Sequence, residues 1–287
     1  MSSEILLYNR FFDKYFAHLN KRRKIRRMAN KITLGVFDSG VGGLTVLKEI
    51  MKRDHYERII YLGDTGRVPY GTRSADKIKE YAEDDISFLL SQGAEKVIAA
   101  CGTVSAVALD TLRKSHPDIP IDGVIDATVA GAARATRNGK IGVIGTAATV
   151  RSGVYQRRLG ESFDVTVTAC PLFVPLAEYG FACERGRATV FDACEYYLSP
   201  LKAAGIDTLV MGCTHFPLLE DFFEEYFDGG VALINSGREL AATIEKGTCI
   251  APSLELFVTD DTKAFSEVAK AFSGCYDLPR PKRVRIQ

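Results

Sequence analysis

The feature that most constrains this chain is a rhythm of short apolar runs separated by stretches with helical spacing. The runs fall at 33–37, 58–62, 96–100, 121–125, 141–144, 165–169, 208–211, 231–234 and 255–258. Helix-like stretches lie between them, for example 74–91, 103–115 and 189–203. Strands alternating with helices predict an α/β fold with mostly parallel sheets. In such sheets function gathers at the carboxyl ends of the strands. The 287 residues are enough for two such units.

An internal echo supports two units. Val97-Ile98-Ala99-Ala100-Cys101-Gly102-Thr103 resembles Leu209-Val210-Met211-Gly212-Cys213-Thr214. Each is a buried strand ending in a cysteine with a threonine close behind, and the cysteines lie 112 residues apart. That separation is about one α/β domain. Two such halves can set their thiols face to face across a cleft.

The other cysteines (170, 183, 194, 249, 275) lack this setting. Seven scattered cysteines without a C-x-x-C predict free thiols in a reducing cytoplasm, with no disulfide framework and no metal site. No apolar run approaches the ~18 residues of a membrane helix, and the N-terminus does not read as a secretory signal. Residues 4–19 have the spacing of an amphipathic helix. Charge is uneven. Residues 1–30 carry eight Lys/Arg against Glu4 and Asp13, a balance of +6, and residues 278–287 carry +4. Against a total of +1, the body between them is −9. An acidic body is no broad nucleic-acid surface, so only the basic ends are left to bind a polyanion.

A thiol at a strand-to-helix junction lies near helix N–H groups that favour thiolate. Two opposed thiols, without metal ligands or a nucleotide motif, suit a two-base reaction. One takes a proton from a carbon acid and the other returns one to the opposite face, inverting the stereocentre. Such a reaction needs a cradle for the developing carbanion and the substrate carboxylate. Asp38-Ser39 opens a glycine-rich loop after the first run, and Asp64-Thr65 and Val68-Pro69-Tyr70-Gly71 follow the second. Thr146 and Thr149 follow another run, and His215 stands beside Cys213 and can tune it. The loop Gly40-Val41-Gly42-Gly43-Leu44-Thr45 approaches a dinucleotide fingerprint, but no acidic ribose partner is evident and the P-loop lysine is missing. It reads better as an anion cradle.

These segments resemble a known family. Gly35-Val36-Phe37-Asp38-Ser39-Gly40-Val41-Gly42-Gly43-Leu44-Thr45, Gly63-Asp64-Thr65-Gly66-Arg67-Val68-Pro69-Tyr70-Gly71 and Gly212-Cys213-Thr214-His215-Phe216-Pro217-Leu218-Leu219 look like the signature segments of bacterial glutamate racemase, of the aspartate/glutamate racemase superfamily. So do Ile141-Gly142-Val143-Ile144-Gly145-Thr146 and Pro171-Leu172-Phe173-Val174-Pro175-Leu176-Ala177-Glu178. The resemblance runs from about residue 33 to 245.

The resemblance implies two pseudo-symmetric α/β domains with the active site in the cleft between them. It divides the chain into a basic extension (1–30), a first domain (31–126 plus 236–287) and a second (127–235). It implies a cofactor-independent isomerase that interconverts L- and D-glutamate for peptidoglycan, cytoplasmic and homodimeric, with no metal. Cys101 and Cys213 match the two bases, the first acting on the D-enantiomer and the second on the L-enantiomer. Asp38, His215 and Glu178 match auxiliary catalytic groups. Ser39, Tyr70, Gly71, Gly102, Thr103, Thr146, Thr149 and Thr214 match substrate-binding positions, with Asp38, Cys213 and His215. The alternatives are a superfamily racemase for another amino acid and a non-catalytic amino-acid-binding or regulatory homologue.

Two departures stand out. The family usually has Ala-Cys-Asn-Thr at its first base, where this chain has Ala100-Cys101-Gly102-Thr103, and the segment from Val124 to Gly131 lacks the usual Pro-Gly. Without the amide, glutamate is expected to bind less tightly, and Gly102→Asn to lower its Michaelis constant.

Overall fold

The computed structural model describes residues 32–249, 252–274 and 277–286. The helix expected at 4–19 and the basic extension lie outside them, as does Cys275. Ten strands occur among the described residues: β1 (Thr33–Asp38), β2 (Arg58–Gly63), β3 (Lys96–Ala99), β4 (Ile121–Gly123), β5 (Lys140–Gly145), β6 (Asp164–Ala169), β7 (Thr208–Met211), β8 (Ala232–Asn235), β9 (Ser253–Val258) and β10 (Lys282–Arg283). They form two sheets, ordered β10-β9-β2-β1-β3-β4 and β6-β5-β7-β8. Every paired strand is parallel to its neighbour.

The order β2-β1-β3-β4 is the order β6-β5-β7-β8 repeated. In each, the chain runs outward on one side of the first strand, then crosses to the other side. The crossing point lies between β1 and β3 in one sheet and between β5 and β7 in the other, where parallel sheets open a crevice beyond their strand ends. Cys101 follows β3 and Cys213 follows β7. The echo in the sequence is thus a topological equivalence. β9 and β10 extend the first sheet alone.

The strands read as continuous apolar runs because both sheet faces are covered. All of β1 and β7 is buried. One apolar cluster joins the two units through Val36, Tyr61, Ile98, Val143, Val210 and Leu240. A second covers the outer face of the first sheet, and a third, around Phe173, Phe216 and Phe223, covers the second. The helices Val124–Ala135 and Ser236–Ala242, which follow the equivalent strands β4 and β8, pack on each other.

Two expected elements differ. The run 121–125 is not one strand: β4 ends at Gly123, and Val124 and Ile125 start a helix. Their β-branched side chains suggested a strand, but both are buried within the helix and the Val124 N–H finds the Ser105 hydroxyl (3.2 Å). Tertiary burial overrides the propensity. The stretch 103–115 is two helices, Gly102–Val107 and Leu109–Ser115, hinged at Ala108 with φ −113°.

Candidate active site

The carboxyl ends of both sheets open on one cavity of about 350 Å³. Ser39, Tyr70, Gly71, Cys101, Gly102 and Thr103 line it from the first unit. Thr146, Glu178, Cys213, Thr214 and His215 line it from the second. Val68, Pro69, Pro171, Val174 and Pro175 give it an apolar side. Of the residues expected from sequence, Asp38 and Thr149 do not line the cavity but sit directly behind it.

Asp38 ends β1 and is fully buried. Its carboxylate accepts the Gly40 N–H at 2.9 Å, and the Thr214 hydroxyl reaches it at 3.5 Å across the cleft. Burial raises its pKa, while His215 and the Gly40 and Gly43 N–H groups oppose the rise. The glycine-rich loop is needed for close approach. A Cβ on Gly42 would stand 2.3 Å from the Thr214 hydroxyl and 2.5 Å from the His215 ring. Thr45 also donates to the Thr214 carbonyl at 2.8 Å. This loop therefore carries the second unit's Cys213–His215 turn directly upon it.

Cys101 is the N-cap of the helix Gly102–Val107 and donates to the Ser39 hydroxyl at 3.6 Å. Burial pushes its thiol up to about 12, and the neighbouring Asp38 adds to the rise, which the Val104 N–H and Ser39 only partly offset. Cys213 lies 3.7 Å from His215 Nδ1, and His215 Nε2 lies 2.8 Å from Glu178. Burial works against charge on His215, but Cys213 and Glu178 outweigh it and raise its pKa to about 10. The imidazole is held as a cation against the second thiol.

The threonines form a chain across the cleft. Thr103 and Thr146 hydroxyls meet at 2.9 Å, and Thr146 meets Thr149 at 3.0 Å. Thr149 thus positions Thr146, which also caps the helix Ala147–Ser152.

Gly102 corrects an expectation. A Cβ there would lie 2.3 Å from the Gly212 carbonyl oxygen, where ordinary contact begins at 3.4 Å. The two cysteine loops touch backbone to backbone at this point. The glycine marks a close approach rather than a vacated amide site, so an asparagine does not fit without moving one loop.

Tyr70 also differs from a simple substrate contact. Its backbone turn lines the cavity, but its hydroxyl is turned into the core, bonded to Asp64 and, at 3.1 Å, to Asp85. Arg67 joins Asp64 (2.5 Å), Asp84 (2.6 Å) and Asp85 (3.0 Å) beneath it. Burial, then the adjacent Asp64, raise the Asp85 pKa well above the carboxylate range. Sequence reasoning missed this cluster. The signal was available: Asp85 falls on the buried stripe Ile78, Ala82, Ile86 and Leu89 of the helix Ala75–Ser91. An acid on an apolar stripe demands a partner.

No group of three or more His, Cys, Asp or Glu among the described residues is arranged to hold a metal ion. No described helix is long and apolar enough to cross a membrane.

The model of the Asp/Glu/hydantoin racemase family matches residues 46–244. The glutamate racemase of Aquifex pyrophilus is 47% identical over 233 residues, spanning 79% of this chain and 88% of that protein. The structure of a glutamate racemase isoform from Bacillus anthracis superposes with a TM-score of 0.80 at 32% identity, covering 89% of this chain and 98% of that one. The Francisella tularensis glutamate racemase, solved in complex with D-glutamate, gives 0.78 at 31% identity over the same shares. With both cysteine turns meeting at the shared cavity, the chain belongs to the Asp/Glu/hydantoin racemase family, among its glutamate racemases.

Proposed function

We propose that this chain interconverts L- and D-glutamate by two-base proton transfer, with Cys213 acting on the L-enantiomer and Cys101 on the D-enantiomer. The observation that carries the proposal is that equivalent strands of the two sheets each deliver one cysteine to the same cavity. A thiolate on one face takes the Cα proton. The C–H electron pair passes into the substrate carboxylate as an enediolate. The thiol on the other face then gives its proton to Cα, so an S–H bond forms on one cysteine as one breaks on the other. The product leaves behind the two cysteines with exchanged protonation.

His215, backed by Glu178, offers positive charge to Cys213, and Asp38 keeps that cation in place from below. The hydroxyls of Ser39, Thr103, Thr146 and Thr214 and the N–H groups around Gly71 and Gly102 supply the cradle for the two substrate carboxylates. Thr149 acts through Thr146, and Tyr70 holds the turn that presents Gly71. D-Glutamate enters peptidoglycan, which assigns the activity to cell-wall biogenesis in the cytoplasm. The functional units are 31–126 with 236–287 and 127–235, in a homodimer.

The test is a panel of enantiopure glutamate, aspartate and alanine, followed by chiral chromatography without added cofactor. Glutamate racemised ahead of the others is the expected result. Racemisation of aspartate or alanine alone overturns the substrate, and no racemisation overturns the enzyme. Light scattering on the same sample reads the dimer.

A further inference from the structure

The two sheets repeat one strand order, but only the first carries strands beyond the repeat. β9 pairs with β2 from Arg58 to Gly63, and β10 pairs with β9. In the second sheet β6, the counterpart of β2, is an edge strand. This difference falls beside the cavity. The segment that follows β2 brings Val68, Pro69, Tyr70 and Gly71 to the lining, and β9 ends next to the root of that segment.

Thr259, the residue after β9, grips the segment with one hydroxyl. It accepts the Gly66 N–H at 2.8 Å and donates to Asp64 Oδ1 at 2.7 Å. One residue on, the Asp260 N–H donates to the Thr65 hydroxyl at 3.0 Å, and the Asp260 carboxylate meets Arg283 of β10 at 3.2 Å. Asp64 is fully buried, and its other oxygen accepts from the Tyr70 hydroxyl and from Arg67 Nε. Hydrogen bonds therefore run from the end of β9 through Asp64 to Tyr70. The turn of Tyr70 in turn seats Gly71 on the second unit, where a Cβ on Gly71 would stand 2.8 Å from the Thr146 Cβ.

We infer that Thr259, which does not line the cavity, is a positioning residue for the reaction, acting through Asp64 and Tyr70 on the turn that presents Gly71. A buried carboxylate oxygen that loses its donor no longer has one fixed orientation, and the groups hung on the same carboxylate shift with it. The Gly71 turn belongs to the cradle for a substrate carboxylate and takes no part in moving the Cα proton. Its looseness weakens ground state and transition state alike, which raises the Michaelis constant and leaves turnover in place. The effect on kinetics rests on the racemase reading; the hold on the turn does not.

The experiment combines hydrogen exchange on the full chain with steady-state kinetics for both enantiomers of glutamate. Thr259→Val keeps the shape and removes the hydroxyl. Exchange across residues 66–72 is expected to quicken about tenfold, with β7 unchanged as the internal control. The Michaelis constants for L- and D-glutamate should rise together about fivefold, with kcat within about twofold. Thr259→Ser, which restores the hydroxyl, should return both readouts to within about twofold of the starting protein. Thr259→Ala also lacks the hydroxyl and decides the matter if the valine variant melts early. Unchanged exchange at 66–72, exchange quickened equally in β7, or a fall in kcat at an unchanged Michaelis constant overturns the role. A starting protein that does not racemise glutamate overturns the racemase reading instead, and the exchange measurement still decides whether Thr259 holds the turn.

Discussion

Cys101 and Cys213 stand at equivalent points of two equivalent sheets, yet their surroundings are electrically opposite. Negative charge on Cys213 meets the His215 cation, 3.7 Å away and backed by Glu178. Negative charge on Cys101 meets Asp38, and its hydrogen-bond partner is the neutral Ser39 hydroxyl. The repeat of strand order sets where the thiols stand, and the unrepeated neighbours set the charge that each one faces. Cys101 rests as the thiol, ready to donate, and the cation sits with its partner. Because the enantiomers have equal free energy, this asymmetry cannot appear in kcat/KM, which must match in both directions. It has to be sought in kcat and KM separately, or in reactions stopped halfway.

The largest effect breaks the pair. Cys101→Ser and Cys213→Ser are each expected to lower racemisation by roughly 10²–10⁴-fold, the worth of a positioned general base. Each variant keeps the opposite thiol. With a glutamate analogue carrying a leaving group on Cβ, Cys213→Ser should still eliminate from the D-form and Cys101→Ser from the L-form. If both variants prefer the same enantiomer, the thiols do not face opposite sides of the substrate.

Next in size is the spacing between the halves. Any side chain at Gly102 must move the Gly212 carbonyl by about 1 Å, and misplacement on that scale costs ~10²-fold in rate. Gly102→Ala and Gly102→Asn should therefore both lower turnover by up to ~10²-fold. The sequence alone suggested the reverse for asparagine, a tighter Michaelis constant. Steady-state kinetics on the two variants decides, and a lower Michaelis constant with turnover intact restores the lost-amide account.

Gly102 shows where legibility in the sequence ended. The strands were readable because parallel strands covered on both faces leave unbroken apolar runs. The cysteines were readable because each ends such a run and the two contexts repeat. Residues lining the cavity came from loops directly after strands, where the α/β topology places them. What could not be read were distances between segments far apart in the chain. Nothing local to Gly102 reveals Gly212, and nothing local to Tyr70 reveals that its hydroxyl turns inward to Asp85.

A smaller effect tests the cation at the second thiol. His215 is raised to about 10 in the fold, above its ordinary value of 6.5. The stability this gives is complete below about pH 6.5 and is lost as pH rises through about 10. Glu178→Gln removes one of the groups that raise it. The expected result is a basic limb of the kcat profile displaced to lower pH, with about tenfold lower turnover at pH 9. His215→Asn should remove the limb. A profile unchanged in Glu178→Gln would mean that the Glu178 charge does not support the imidazolium.

The smallest effect lies in a second group of buried charges in the first half, apart from Asp38. Arg67, Asp64, Asp84 and Asp85 meet beneath Tyr70, and burial raises the Asp85 pKa, which favours its neutral form. A neutral carboxyl and an amide have nearly the same shape, and each can meet a donor and an acceptor. Asp85→Asn should then cost under about 1 kcal/mol of stability and change turnover less than about threefold. Asp85→Ala is different. It strips the Tyr70 hydroxyl and Arg67 of a partner inside the core, worth about 1–3 kcal/mol in an urea titration. The buried Ile78, Ile86 and Leu89, at ~1.5–3 kcal/mol each, still hold the helix in place. The loss should therefore reach the active site only as a looser Tyr70–Gly71 turn, read as a raised Michaelis constant with turnover nearly intact. Should Asp85→Asn prove as damaging as Asp85→Ala, Asp85 is an anion paired with Arg67, and the first half would carry its negative charge beneath Tyr70 as well as at Asp38.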